Sequence, residues 1–140
     1  MTKTTKELEN ILSKTHPNDI DEYFNNESNN IIENDFEEYI KSKLKEKGMQ
    51  LQTVFLKADI SESYGYKLLS LEKHTLQRDL IIKICYVANF DLYETNKALI
   101  LYGMSALYPR IKRDALIISL FNNKQRDSFE FDEKLKEFDD

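Results

Sequence analysis

The sequence has few of the residues that break helices. Three glycines and two prolines occur in 140 residues, and tryptophan is absent. Folds made of many short strands need such residues at their turns, so their scarcity favours helices. Hydrophobic residues make up 41% of the chain, and a chain of this length can bury a core. The expected fold class is therefore all-α.

Cysteine is also nearly missing, since Cys85 stands alone. A single cysteine excludes an internal disulfide and a cysteine-rich zinc site. Because Cys85 ends the apolar run that starts at Leu80, we expect a buried, unreactive thiol. Three glycines leave no phosphate-cradling loop, and no nucleophile elbow or metal-ligand spacing occurs. We expect no enzyme, no cofactor and no metal site.

Long hydrophobic runs are absent as well. No segment approaches the roughly 18 apolar residues of a membrane span, and residues 1–14 are polar, without an apolar signal region. These features predict a cytoplasmic protein with no membrane partner.

The net charge of −5 is spread unevenly along the chain. Residues 1–40 hold 3 basic and 10 acidic side chains, or −7, and residues 84–140 hold 8 and 10, or −2. Residues 41–83 hold 9 basic and 5 acidic side chains, or +4. A positive block between acidic flanks indicates a phosphate-facing surface, with an ordinary solvated helix face as the alternative.

Capping signals divide the chain into helical segments. Helix starts are predicted where Ser, Thr, Asn or Asp precedes a Glu by three residues, and Gly is expected at helix ends. The predicted starts are Thr4, Asn34 and Asp91, and the predicted ends are Gly48 and Gly103. Pro109 is expected in the first turn of the last firm helix. The polar run Asn25–Asn30 predicts a linker.

Four regions follow from this division. They are an acidic helical N-terminal arm (1–30), a core (33–90), a helical extension (91–122) and an acidic tail (123–140). The tail is expected to be either a frayed helix near Phe131–Phe138 or partly disordered. The extension is rich in apolar residues, which predicts either additional core or a surface for a homodimer or a protein partner.

The stretch Leu51–His74 carries the functional signal. It predicts two short amphipathic helices joined by a few residues, the second beginning at Ser61. Ile60, Leu68 and Leu69 are expected to face inward, whereas Glu62, Ser63, Tyr66, Lys67 and Ser70 are expected to face outward. Gly65, inside the second helix, indicates either a close approach to a neighbouring helix or to DNA, or a weak helix that orders on binding, and we favour close packing.

Specific strings in this region resemble one family. Residues 60–75 read ISESYGYKLLSLEKHT, residues 78–99 read RDLIIKICYVANFDLYETNKAL, and residues 102–117 read YGMSALYPRIKRDALI. They resemble the lambda-repressor-like (Xre-type) helix-turn-helix family, and most closely its small regulators from Gram-positive bacteria. The resemblance spans roughly residues 33–122. It implies a helix-turn-helix bundle, here with extra N-terminal and C-terminal helices.

The resemblance also implies how the chain binds. The helix at about Ser61–Leu71 would enter the major groove of double-stranded DNA, with Ser61, Glu62, Ser63, Tyr66 and Lys67 at or near the base edges. The residues expected to contact phosphates are Gln50, Gln52, Lys73 and His74. Such a chain would be a sequence-specific transcriptional regulator. The alternative is a protein-interaction module on a helix-turn-helix scaffold that no longer binds DNA, which Asp59, Glu62 and Glu72 favour.

Three positions depart from the family pattern. Phe55 stands where the first helix of the motif has a small residue, which changes the expected distance between the two helices. Asp59 and Leu71 stand where the pattern has glycine. Asp tolerates left-handed backbone. Leu71 is expected either to extend the second helix or to expose its apolar side chain.

Overall fold

The computed structural model describes residues 3–28 and 34–140, and in these residues every regular element is helical. The predicted all-α class is therefore confirmed. The chain divides into two compact units, residues 1–33 and 34–140. The first contains α1 (Thr5–Ser13) and α2 (Ile20–Asn26). The second contains α3 (Asp35–Lys47), α4 (Leu51–Lys57), α5 (Glu62–Leu69), α6 (Arg78–Val87), α7 (Leu92–Tyr102), α8 (Lys112–Leu120) and α9 (Ser128–Asp139).

The first unit begins with the predicted capping box. The Thr4 hydroxyl accepts the Glu7 backbone N–H at 3.2 Å, and the Glu7 carboxylate accepts the Thr4 N–H at 3.3 Å. A short 3-10 turn at Pro17–Asp19 separates the two helices. The predicted linker is partly helical, because α2 continues to Asn26, and its last two residues lie outside the described residues. Within the described residues of both units, no helix is long and apolar enough to cross a membrane.

In the second unit, caps set the ends of the helices as the sequence predicts. Asn34 accepts the N–H of Glu37 at 3.1 Å, and α3 ends at Gly48, whose φ of 67° is left-handed. Asp91 and Glu94 form the capping box of α7. The buried stripe of α3 (Phe36, Ile40 and Leu44) faces the common core.

Helix α6 lies at the centre of that core, with α4, α7 and α9 packed against it. Cys85 of α6 is fully buried, and this burial raises the pKa of its thiol to about 12. The predicted burial is confirmed, and the raised pKa keeps the thiol protonated at neutral pH. Helix α7 buries Ala98, Leu99 and Tyr102, so the extension contributes to the core.

The segment before α8 differs from the prediction. Pro109 does not open the helix: it lies in a turn, and α8 begins at Lys112. The reason is an ion pair between Arg78 and the buried carboxylate of Asp114, which holds this segment in a turn. Asp114 accepts two bonds from the Arg78 guanidinium, at 2.8 and 3.0 Å, and also the Tyr108 N–H at 2.9 Å. Arg78 also donates to the carbonyl of Ala106.

The acidic tail is an ordered helix in the structure. Of the two alternatives left for the tail, the structure has the helix, and Phe131 and Leu135, four residues apart on α9, are buried. Before α9, the Arg126 guanidinium donates to the carbonyls of Phe90 at 2.6 Å and Phe121 at 2.9 Å. These bonds satisfy backbone oxygens near the ends of α6 and α8 and fix the start of the tail.

The Asp114–Arg78 pair predicts an acid-sensitive fold. Hydrogen bonds from Arg78 hold the pKa of Asp114 below its usual value, so the stabilisation is complete above the ordinary Asp pKa, near 4, and is lost as the pH falls through the lowered value. We expect Asp114→Asn to lower the free energy of unfolding by about 3 kcal/mol at pH 7. In urea unfolding, the difference from the parent should shrink towards pH 3. A difference that stays constant with pH would contradict this account.

Candidate nucleic-acid interface

Helices α4 and α5 are joined by the four residues Ala58–Ser61. Ala58 is buried, and Asp59 takes a left-handed φ of 59°. Ile60 returns to α4 by donating its N–H to the Phe55 carbonyl at 3.1 Å. Ser61 then caps α5, its hydroxyl accepting the Tyr64 N–H at 3.2 Å. The turn therefore has the left-handed backbone for which the family pattern has glycine, and Asp59 supplies it.

Gly65 sets the distance between the two helices. A Cβ at Gly65 would lie 2.5–2.7 Å from three carbons of the Phe55 ring, which real contacts do not allow. The Phe55 ring is itself buried. A large residue on α4 is thus matched by an absent side chain on α5, and the prediction that Gly65 permits close packing is confirmed.

The two faces of α5 follow the predicted pattern. Leu68 and Leu69 are buried together with Gly65. The opposite face carries the exposed Glu62, Ser63, Tyr66 and Ser70, with Lys67 half-buried beside them. A helix with a packed inner face and a polar outer face is what entry into a DNA groove requires.

Three of the predicted residues meet in one groove. Ser63, Tyr66 and Lys67 line an open groove of about 360 Å³ between α5 and α3. The Tyr66 ring packs edge-on against Phe55, with centroids 5.2 Å apart and planes at 80°. Tyr66 is 38% exposed, so a rigid aromatic ring with an accessible edge stands on the outer face.

The α3 side of this groove was missed by sequence reasoning. Glu37 and Lys41 line it from α3, and their ion pair measures 2.8 Å. Their spacing of four residues predicts the pair itself. That they lie next to α5 follows from tertiary packing, and no local pattern indicates it.

The other predicted residues are more dispersed. Gln50 is the exposed N-cap of α4 and makes no side-chain capping bond. Gln52 lies with Glu62 in a second groove, also about 360 Å³, lined by Leu56 and Ile60. This places Gln52 and Glu62 together on the α4 side of the α5 face.

The loop residues Lys73 and His74 have different surroundings. Lys73 is exposed, and its N–H donates to the Lys67 carbonyl at 3.1 Å, which keeps it next to the end of α5. The His74 ring stacks on Tyr102 of α7, with centroids 4.4 Å apart and planes at 19°. His74 therefore lies against α7 rather than beside the residues of α5.

Ion pairs divide the positive block of residues 41–83. Five of its cations pair with four carboxylates outside the block: Lys41 with Glu37, Lys43 and Lys47 with Glu94, Arg78 with Asp114 and Lys83 with Asp132. These four partners offset the block's charge of +4. Of the candidate contact residues, Lys67 and Lys73 have no ion-pair partner among the described side chains, so the positive potential of this surface depends mainly on them.

The structure decides between the two expectations for Leu71, which were an extended second helix or an exposed apolar side chain. Helix α5 ends at Leu69, and Leu71 takes a left-handed φ of 63° with 40% of its surface exposed. The helix is not extended, and the apolar side chain is exposed. An L-residue with a branched side chain is strained in this conformation.

The Phe55 contact predicts an unusual effect of alanine. In an ordinary helix, Gly65→Ala would stabilise by about 1 kcal/mol. Here we expect it to destabilise the fold by about 1–3 kcal/mol, because the new methyl group overlaps the Phe55 ring. Chemical unfolding checks the sign. In a Phe55→Leu background the same change should be neutral or stabilising, and a coupling energy near zero between the two sites would contradict the account.

The strain at Leu71 predicts that glycine is more stable than alanine at this position. We expect Leu71→Gly to be more stable than Leu71→Ala by about 1 kcal/mol, because both remove the exposed side chain and only glycine relieves the left-handed backbone. Thermal unfolding of the two variants measures the difference. Equal stability would show that Leu71 is unstrained.

Comparisons with known proteins gave no match, whether with family models, curated proteins or solved structures. Within residues 3–28 and 34–140, no three His, Cys, Asp or Glu side chains are grouped closely enough to hold a metal ion. The chemistry that this surface offers is hydrogen bonding and charge, through hydroxyls, amides, lysines and the glutamates Glu37, Glu62 and Glu72.

Proposed function

We propose that the chain is a sequence-specific double-stranded DNA-binding protein that regulates transcription, and that α5 is its reading helix. The observation that carries the proposal is the outer face of α5, where Ser63 and Tyr66 are exposed and Lys67 lies beside them, over an inner face fixed by Gly65 against Phe55. The resemblance to the Xre-type helix-turn-helix family points the same way.

The side chains of this face have the chemistry of base recognition. Lys67 can donate to the O6 and N7 atoms of guanine, and Glu62 can accept from the N4 amino group of cytosine. The Ser63 hydroxyl can do either. Tyr66 is held against Phe55, so it would contact DNA with little loss of side-chain freedom.

Phosphate contacts would fix the register of α5 in the groove. Lys73, held next to α5 by its bond to Lys67, is the best placed cation for this role. Gln50 and Gln52, at the exposed start of α4, can donate to a phosphate with their side-chain amides. His74 is the weakest of the proposed contacts, because its ring is stacked on Tyr102.

A homodimer would let the chain read two half-sites. Helix α7 supports this part of the proposal, because Tyr93 and Ile100 are 74% and 62% exposed and line one groove with Lys97. Two turns separate these side chains, which places them on the same face. A two-fold contact through this face would match a palindromic site.

A protein-interaction module is the second candidate. The ion pairs that offset the charge of residues 41–83 favour it, as do Glu62 and Glu72 on the grooves next to α5. A reading helix with carboxylates nearby gains less from the phosphate backbone. Such a module would use the Tyr66 face to bind another protein.

Substitution of lysines separates these candidates. With sequences selected from random duplex DNA, we expect Lys67→Ala to weaken specific binding by about 1–3 kcal/mol. Lys73→Ala should weaken all sequences alike and reduce the slope of log K against log salt by about 1. Lys124→Ala removes the same charge from an exposed site outside the interface and should bind like the parent.

Two results would contradict the DNA-binding proposal or its assignment to α5. If the parent protein shows no retention on duplex DNA even at low salt, the second candidate is favoured. If it is retained and all three alanine variants bind alike, DNA contacts another face of the chain.

A further inference from the structure

Within residues 34–140, the negative charge is concentrated at the C-terminal end. Residues 127–140, called the α9 segment here, hold seven Asp and Glu and two Lys, or −5, which equals the net charge of the whole chain. Residues 34–126 hold 15 Lys and Arg and 11 Asp and Glu, or +4. The α9 segment therefore changes the helical unit from a cationic one to one with a charge of −1.

Two of its carboxylates are placed on cations of the bundle. Asp132 accepts from Lys83 of α6, with N–O distances of 3.3 and 3.4 Å. Asp139 accepts two bonds from the guanidinium of Arg113 on α8, at 2.9 and 3.0 Å. Arg113 also pairs with Asp79 of α6 at 2.7 Å. Lys83 and Arg113 line the same groove, of about 410 Å³, between α6, α8 and α9.

These two ion pairs are suited to exchange. The side chains of Asp132 and Asp139 are 56% and 50% exposed, so water and salt screen both pairs. The attachment of α9 itself rests on the buried Phe131 and Leu135. A phosphate could therefore replace either carboxylate while the helix stays docked.

We propose that the α9 segment is an intramolecular competitor for phosphate, and that Lys83 and Arg113 form a further contact surface for a phosphate polyanion such as the DNA backbone. In the free chain, Asp132 and Asp139 occupy the positions of two phosphates. When a polyanion displaces them, the cations add to the affinity without adding sequence preference. This inference rests on the proposed DNA binding and adds an autoinhibitory contact to it.

A pair of charge-matched variants tests the competition. Asp132→Asn with Asp139→Asn removes both ion pairs and leaves Phe131 and Leu135 in place. Glu133→Gln with Glu137→Gln removes the same charge from the same helix, at exposed positions that pair with no cation of the bundle among the described residues. Binding of the full-length parent and both variants to a fixed non-specific duplex is measured over a range of salt, and thermal unfolding checks that each variant is folded.

Competition predicts different salt dependences for the two variants. Each freed cation that contacts a phosphate adds about 0.9 to the slope of log K against log salt. Asp79 still pairs with Arg113 in the variant, so Lys83 is the cation that is fully freed, and the Asp132/Asp139 variant should exceed the Glu133/Glu137 variant by about 1. Equal slopes in the two variants would overturn it and leave DNA binding through α5 intact. No binding by any of the three proteins would overturn both.

Discussion

The contact between Gly65 and the Phe55 ring is the constraint on which the candidate site depends. It brings the backbone of α5 against a buried aromatic ring, at a distance that excludes any Cβ. The Phe55 ring also packs against the Tyr66 ring. One side chain of α4 therefore sets both the distance between α4 and α5 and the orientation of Tyr66. The inner face of α5 is thereby packed in place, and a helix that is already held in its binding position loses less entropy on binding.

The ion pairs of residues 41–83 are the second constraint, because they reduce the electrostatic attraction of this block for phosphate. Most cations of residues 41–83 that could attract phosphate stabilise the fold through carboxylates of α3, α7, α8 and α9. Arg78 shows this best, since its guanidinium holds both Asp114 and the carbonyls before α8. A protein arranged in this way would rely on a few well-placed lysines and on shape, and its affinity for DNA would depend steeply on which ion pairs open.

Local signals in the sequence predicted much of this fold. The caps at Asn34 and Asp91, the left-handed ends at Gly48 and Gly103, and the two faces of α5 depend on neighbouring residues, and the structure has all of them. The errors arose where distant residues decide. Pro109 fits a helix start by propensity, but the bonds from Arg78 and Tyr108 to Asp114 hold it in a turn. For the tail, the sequence left a helix and disorder equally open. Its two buried apolar residues are few, and the contact of Phe131 with Tyr86 of α6 joins residues far apart in the chain.

The charge of residues 41–83 is a second case in which distant residues decide, and it concerns the candidate site. A count along the chain gives +4, yet it cannot show that Glu94, Asp114 and Asp132 approach from three other helices. The Phe55–Gly65 contact likewise joins residues ten positions apart. Sequence reasoning placed a close contact at Gly65 without identifying its partner.

The most direct test of the central claim is a map of the surface that DNA touches. Backbone amide resonances of the full chain, followed by NMR during titration with a selected duplex, provide it. The account predicts that the largest shifts fall on Glu62–Lys67 and on Lys73. Shifts confined to α7, or no shifts at saturating duplex, would contradict the assignment of α5 as the reading helix.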